Sequence, residues 1–213
     1  MTLPSTIKVG PAAYDVKLEK AFGGLERLWG LVTYHNTTIQ IDPNDRDIFS
    51  MWSSLLHECI HIIDHIYNAH RGAGESGDLD ESVVERLTTG WFQVLRNNNL
   101  FLTIAHKMPK HIDICGETYK VIFPYKAEIV DDADSHGDHG NHILYISDCN
   151  RDGIRKSDIE LKYILILLIG YSIHGLFCLE DDIDSYISAR LSWGLLDLFL
   201  GNNFPEKIRK LRA

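Results

Sequence analysis

Two histidines four residues apart flank a glutamate in His57-Glu58-Cys59-Ile60-His61. The surrounding run reads as helix, and on a helix a spacing of four places both imidazoles on one face, one turn apart. Two such rings can share one divalent ion. Glu58 follows the first ring and can lean over the same ion as a proton acceptor. An H-E-x-x-H pentapeptide is the pattern by which a helix presents zinc together with a general base. The pattern becomes specific only when a third ligand arrives.

Glu81 lies twenty residues past His61 and is the first candidate. Between them, 68–78 is rich in Gly, Ser and Asp and reads as a loop. From Leu79 to Asn97 the apolar residues Val83, Val84, Leu87, Trp91, Val94 and Leu95 recur with helical spacing. A helix–loop–helix lets Glu81 reach the ion held by His57 and His61, and two His with one Glu leave the open coordination position of a catalytic zinc site. Glu85, one turn after Glu81, is placed to accept a hydrogen bond from a ligand histidine and orient its ring. His65 is a rival third ligand, but three histidines in line on one straight helix put the last about 6 Å further along the axis. Asp64 is a rival as a supporting or capping group.

The stretch resembles the gluzincin metallopeptidases, in which H-E-x-x-H is followed by E-x-x-x-(D/E/N) on the next helix. It is similar in particular to small phage and bacterial members of the repressor-cleaving ImmA/IrrE type, which carry an Ile-x-Ile-Asp strand end and then Leu-Leu-His-Glu-x-x-His. The corresponding residues are Ile39-Gln40-Ile41-Asp42 and Leu55-Leu56-His57-Glu58-Cys59-Ile60-His61. The likeness covers roughly residues 5–98. It implies His57, His61 and Glu81 as ligands of zinc and Glu58 as general base. One departure is bulky Ile60, where members often have Ala or Gly.

The elements that must position these groups can be read in outline. Thr6–Val9 and Tyr14–Leu18 read as strands turned at Gly10-Pro11, Leu18–Leu28 as a short helix, and Leu31–His35 and Thr38–Ile41 as two further strands. The first of that last pair is a candidate edge for pairing with substrate backbone. Asp45 is a plausible cap for a long helix running to about Ala69. The expected class is therefore α+β: a zincin-like unit with a short mixed sheet, an active-site helix and a glutamate helix. Tyr34, His35, His65 and Tyr67 are the candidate donors to a developing oxyanion.

The unit is expected twice. A shift of 105 aligns Pro4, Ile7, Tyr14 and Val16 with Pro109, Ile112, Tyr119 and Val121, and Asn36, Ile41, Arg46 and Asp47 with Asn141, Ile146, Arg151 and Asp152. A shift of 104 aligns Arg86, Leu87, Gly90, Asn98 and Asn99 with Arg190, Leu191, Gly194, Asn202 and Asn203. Strands are expected near 111–115, 119–123 and 142–147, and helices near 157–179 and 182–200 with Ser157 as a cap. The motif helix of this second half reads Leu167-Leu168-Ile169-Gly170-Tyr171-Ser172-Ile173-His174, and Ser185 and Ala189 stand where Glu81 and Glu85 would be. Residues 1–105 would form the unit with the metal site. Residues 106–213 would form a degenerate copy packed on it, its long helix buried all round.

Composition bounds the rest. The 213 residues are 45% hydrophobic and 24% charged, an ordinary globular profile. A net charge of −9 argues against nucleic acid as partner. No apolar leader opens the chain, and Cys59, Cys115, Cys149 and Cys178 lack C-x-x-C pairing, so free thiols and a cytoplasmic location are expected. The apolar run Tyr163–Leu179 falls short of a comfortable span and carries His174, so a buried core helix is expected and not a membrane contact. The His- and Asp-rich stretch 131–142 reads as a loop, with metal binding as its sharper reading. Two function classes follow: a zinc-dependent peptidase cleaving an intracellular protein or peptide, or a non-catalytic, metal-holding interaction or regulatory protein of phage or bacterial type. Oligomeric state cannot be read from the sequence.

Overall fold

A computed structural model of the chain describes residues 2–20, 28–44, 46–67, 79–98, 108–126, 135–177 and 185–209. It is a mixed α+β fold with two small four-stranded mixed sheets and five helices among those residues.

The first sheet comprises β1 (Thr6–Val9), β2 (Ala12–Leu18), β3 (Gly30–Thr33) and β4 (Thr38–Ile41), in the order β1-β2-β4-β3. β1 and β2 form a hairpin whose turn needs Gly10 at φ +57°, a left-handed value that glycine adopts without strain. β2 runs parallel to β4, and β3 closes the sheet antiparallel to β4. Ile7, Val9, Tyr14, Ile39 and Ile41 fall on the buried positions of the alternating strands.

On this sheet lies α1 (Ile48–Tyr67), which buries Trp52, Leu55, Leu56, Cys59, Ile60, Ile62 and Ile63. Asp45 lies outside the described residues. The cap is Asp47, whose Oδ1 accepts from Ser50 N at 2.7 Å, and that bond holds its carboxyl below the usual range. α2 (Glu81–Asn97) returns across α1, with Val83, Val84, Leu87, Trp91, Val94 and Leu95 inward as their periodicity predicts. The loop expected at 68–78 and most of the short helix expected at Leu18–Leu28 lie outside the described residues, while Leu18 itself ends β2.

The second sheet repeats the plan: β5 (His111–Ile114), β6 (Glu117–Ile122), β7 (His136–Asp138) and β8 (Ile143–Tyr145), in the order β5-β6-β8-β7. The pairing senses match, and so does the register. Ile7–Tyr14, Val16–Ile39 and Val32–Ile39 become Ile112–Tyr119, Val121–Leu144 and Gly137–Leu144, each displaced by 105. Helices α3 (Asp158–Leu176) and α4 (Ser185–Asn202) follow, then the short α5 (Phe204–Arg209). Ser157 caps α3 in a full capping box with Glu160.

The repeated residues make repeated contacts, each across the two halves. Asn98, at the end of α2, brackets the backbone of Asp113 on β5, donating to its O at 2.6 Å and accepting from its N at 2.7 Å. Asn202, at the end of α4, does the same to Lys8 on β1. Arg86 donates to Phe177 O at the end of α3, and Arg190 to Tyr67 O at the end of α1. Gly90 lets α2 press on Ile173 of α3, where a Cβ would lie 2.6 Å from Cγ2, and Gly194 lets α4 press on Ile63 of α1. Each half thus seals the other's sheet with its second helix, and one continuous hydrophobic core spans both. Ile60 packs here, beside Leu87, Trp91 and Gly170. Its bulk fills space that the second half supplies.

Two expectations need correction. α3 is not buried all round: 44% of its most apolar 18-residue window is buried, and Ile159 and Leu176 are exposed. It is long and apolar enough to cross a membrane by length and composition, yet its inner face packs on α4 and carries buried Ser172 and His174. Its main packing partners among the described residues are α4, α2, β7 and β5, and Ile159 and Leu176 stay exposed. Second, the stretch 131–142 is not all loop, because His136–Asp138 forms edge strand β7. A three-residue polar strand carries too little alternation to be seen in sequence.

Candidate metal centre

α1 and α2 bring His57, His61 and Glu81 together. His57 Nε2 lies 3.1 Å from His61 Nε2 and 2.8 Å from Glu81 Oε1, and His61 Nε2 lies 3.2 Å from Glu81 Oε2. A tetrahedral zinc ion with bonds of about 2.05 Å separates its ligand atoms by about 3.3 Å. The three side chains therefore already outline one face of such a tetrahedron. They form the one three-residue group among the described residues whose ligand atoms all lie within 4.8 Å of one another. Two imidazole nitrogens and a carboxylate suit zinc in donor chemistry. The rings are 18% and 17% exposed and Glu81 is 71% exposed, so the fourth side faces open space.

Two aspartates explain why Glu81 points there. Buried Asp64 on α1 accepts from Leu79 N at 2.8 Å, and Asp80 caps α2 by accepting from Ser82 N at 2.8 Å. The first pins the approach to α2 against α1. The second starts the helix at Glu81. Asp64 is thus a supporting group rather than a ligand.

Glu58 sits beside the pair, 6% exposed, under the edge of the sheet. Burial is the main cause that lifts its carboxyl to about 8, the charge of Glu81 adds to this, and a hydrogen bond from Val32 N–H opposes it. Asp42 N donates to Trp29 O, so the hydrogen-bonded pairs of the β3–β4 ladder are Leu31–Gln40 and Thr33–Thr38. Gly30 and Val32 consequently turn their backbone groups to the open edge, where Val32 meets Glu58. At Gly30 a Cβ would lie 2.9 Å from Glu58 Cδ and closer still to Oε1. Gly30→Ala is therefore expected to push the carboxyl out of place and cost about 1–3 kcal/mol of stability, read as a lowered denaturant midpoint. An unchanged midpoint would mean that the strand yields freely.

His57 is lowered from its ordinary value by burial and by the charge of His61, with Glu81 and Glu85 opposing. In metal-free protein the two shifts act oppositely. Glu58 holds a proton in the folded state that the unfolded chain releases above about 4.5, so its contribution weakens stability as pH rises toward about 8. His57 binds its proton less readily when folded, so its contribution weakens stability as pH falls below about 6.5. Glu58→Gln removes only the first. In chelator-treated samples the variant should match wild type near about pH 4.5 and exceed it in unfolding free energy by an amount that grows toward about pH 8. A constant difference across that range would contradict the buried carboxyl.

Glu81, Glu85, Glu58 and His57 line one cleft of about 380 Å³ with Leu28, Trp29, Gly30, Arg46, Ser53, Ser54, Thr88 and Thr89. Glu85 acts on His57 through its charge and accepts no hydrogen bond from either ring. His65 is exposed and stacks on Tyr34 with centroids 4.2 Å apart, one turn beyond His61. Tyr67 is not brought to the site. Its hydroxyl hydrogen-bonds Asp197 on α4, beside Gly10 and Pro11. His35 is exposed on the turn after β3.

Reasoning from sequence missed Gly30, Val32, Arg46 and Thr88. Arg46 had a signal as a repeat match, but nothing in the text joined it to the cleft. The histidines of the 131–142 stretch engage aromatic rings instead: His136 stacks on Tyr145 and His142 on Tyr119. In the second half, Leu167, Leu168 and Tyr171 occupy the places of His57, Glu58 and His61 when Ile63 is matched to Ile173, and Tyr163 and Trp193 stack where Ser53 and Thr89 line the first cleft. Cys59, Cys115 and Cys149 are free thiols, with Cys59 fully buried and raised well above its ordinary value by burial. No family model, curated protein or solved structure matches the chain.

Proposed function

We propose that the chain is a zinc-dependent peptidase of gluzincin type, in which residues 1–105 carry the metal site and 106–213 are a degenerate copy of the same zincin-like unit. The observation that carries the reading is the convergence of His57, His61 and Glu81 at coordination spacing beside the buried carboxyl of Glu58. The matched strand registers and the paired Asn98/Asn202 and Arg86/Arg190 contacts support the duplication. The filled second cleft supports its degeneracy.

Zinc bound to His57, His61 and Glu81 would lower the pKa of a water toward about 7 and polarise a carbonyl. Glu58 accepts the proton of that attacking water and later hands it to the leaving amine nitrogen. Val32 N–H keeps one carboxyl oxygen oriented for both transfers. The outward backbone groups of Gly30 and the outward carbonyl of Val32, whose N–H is held by Glu58, receive an extended substrate by strand addition. Tyr34 and His65, stacked on one another with His65 one turn beyond His61, remain the candidate donors to a developing oxyanion.

The reading is tested with zinc-loaded wild type and Glu58→Gln on a casein substrate and on proteins of a host lysate. Cleavage by wild type alone, with equal zinc in both, supports it. Stoichiometric zinc without any cleavage assigns the chain instead to the metal-holding interaction proteins.

A further inference from the structure

Among the described residues Arg46 is the one lysine or arginine in the lining of the metal cleft, which otherwise carries the carboxylates of Glu58, Glu81 and Glu85. Its partners are neutral. Nη1 donates to Ser54 Oγ at 2.7 Å, Nη2 donates to Ser50 O at 2.9 Å, and the guanidinium lies 4.7 Å from the centroid of the Trp29 ring. Among the described residues no carboxylate comes within ion-pair distance of it; Asp42 and Asp47 act only through space. A guanidinium held rigid by two neutral acceptors and an aromatic face keeps its remaining N–H groups and its charge for something else.

A second observation points to the same place. Thr88 is 4% exposed and lines this cleft, yet its Oγ1 is buried without a hydrogen-bond partner. Ser53 and Thr89 add hydroxyls to the same walls. A buried hydroxyl left unpaired is costly unless a ligand completes it. An unpaired hydroxyl and a guanidinium with no salt-bridge partner among the described residues, in one cleft, describe a receptor for an oxyanion.

Position relates it to the chemistry. Ser54, which Arg46 grips, precedes His57 by three residues on the same helix, and Arg46, His57 and Glu81 line one cleft. Successive α-carbons of a peptide are about 3.8 Å apart. A group bound at Arg46 therefore belongs to a residue close to the scissile bond. Glu85 stands one turn after Glu81 on α2, and its charge acts on His57 and not on Arg46.

Resting on the peptidase reading of this cleft, we propose that Arg46 is its specificity-determining residue and selects a substrate carboxylate beside the scissile bond. That carboxylate is either an acidic side chain or the free C-terminus.

Three probes separate the sources: an acetylated, amidated alanine pentapeptide with a central glutamate, its glutamine twin, and an acetylated alanine tripeptide with a free C-terminus. Binding to zinc-loaded Glu58→Gln is measured by calorimetry, and cleavage by zinc-loaded wild type is measured in parallel. One or both carboxylate-bearing peptides should bind about ten- to hundred-fold tighter than the glutamine twin, and Arg46→Gln should abolish that ratio. Arg46→Lys should keep part of it, since charge survives but the two-pronged donor geometry does not. Zinc content and melting temperature of each variant are checked alongside. If Arg46 only braces the start of α1, Arg46→Gln lowers affinity for all three peptides alike, and the proposal is overturned. Equal binding of the three by Arg46-intact protein overturns it as well. Selective binding without cleavage leaves Arg46 in its role and sinks the hydrolytic reading. Cleavage without selectivity does the reverse, and no binding at all removes both.

Discussion

Glu58→Gln should lower kcat about 10²- to 10⁴-fold, the range for loss of a positioned general base, while zinc binding stays at wild-type stoichiometry. The separation of the two readouts follows from geometry. Glu58 is not among the atoms that converge on the ion position; His57, His61 and Glu81 are. Glutamine preserves the shape under Gly30 and can still meet Val32 N–H through its carbonyl oxygen, so the fold around the site has no reason to open. What glutamine cannot do is accept a proton. Loss of zinc together with activity would place Glu58 in the coordination sphere. Retained activity would remove it from the chemistry.

The second large effect concerns the ligands. A metal that binds only the folded chain stabilises it by about 4 kcal/mol when its free concentration is about a thousand times Kd. His57→Ala and His61→Ala should abolish that zinc-dependent rise in melting temperature, and Glu81→Ala should abolish most of it. The variants should differ when zinc is chelated. Glu81 is 71% exposed, so without metal its loss should move stability by no more than about 0.5 kcal/mol. The histidines are partly buried, and their truncation removes packing as well. Differential scanning with and without zinc reads both quantities. If Glu81→Ala kept the full zinc shift while Glu85→Ala or His65→Ala lost it, the third ligand would have to be reassigned.

The interlocked halves bear on both results. α2, which carries Glu81, is fastened at Arg86 and Asn98 to backbone of the second half, and Gly90 seats it against α3. Among its described residues the second half carries no counterpart of the His57, His61 and Glu81 group, but it supplies the surface on which α2 rests. If the second half is the degenerate copy proposed above, that is a physical reason for the chain to keep it. It also explains Ile60: in a single unit that position would face solvent or a smaller neighbour, whereas here it meets the core between the halves.

Much of this molecule could be read from residue order. The helix pair, the strand pairs and the spacing of His57, His61 and Glu81 follow from periodicities of two and about 3.6, which are local properties. The offset of 105 that the two sheets share in register was legible because it is a comparison of the text with itself. Other features lie beyond local reading. The Asp64 bond to Leu79, the approach of Gly30 to Glu58, the orphaned Thr88 hydroxyl and the turn of Arg46 into the cleft each join residues from different elements. Whether Tyr67 or Tyr34 stood near the metal could not be read either, since both are tyrosines at the ends of elements; packing sent one to Asp197 and left the other on His65. Chain order sets which side chains share a face, and only close packing of faces decides which of them meet.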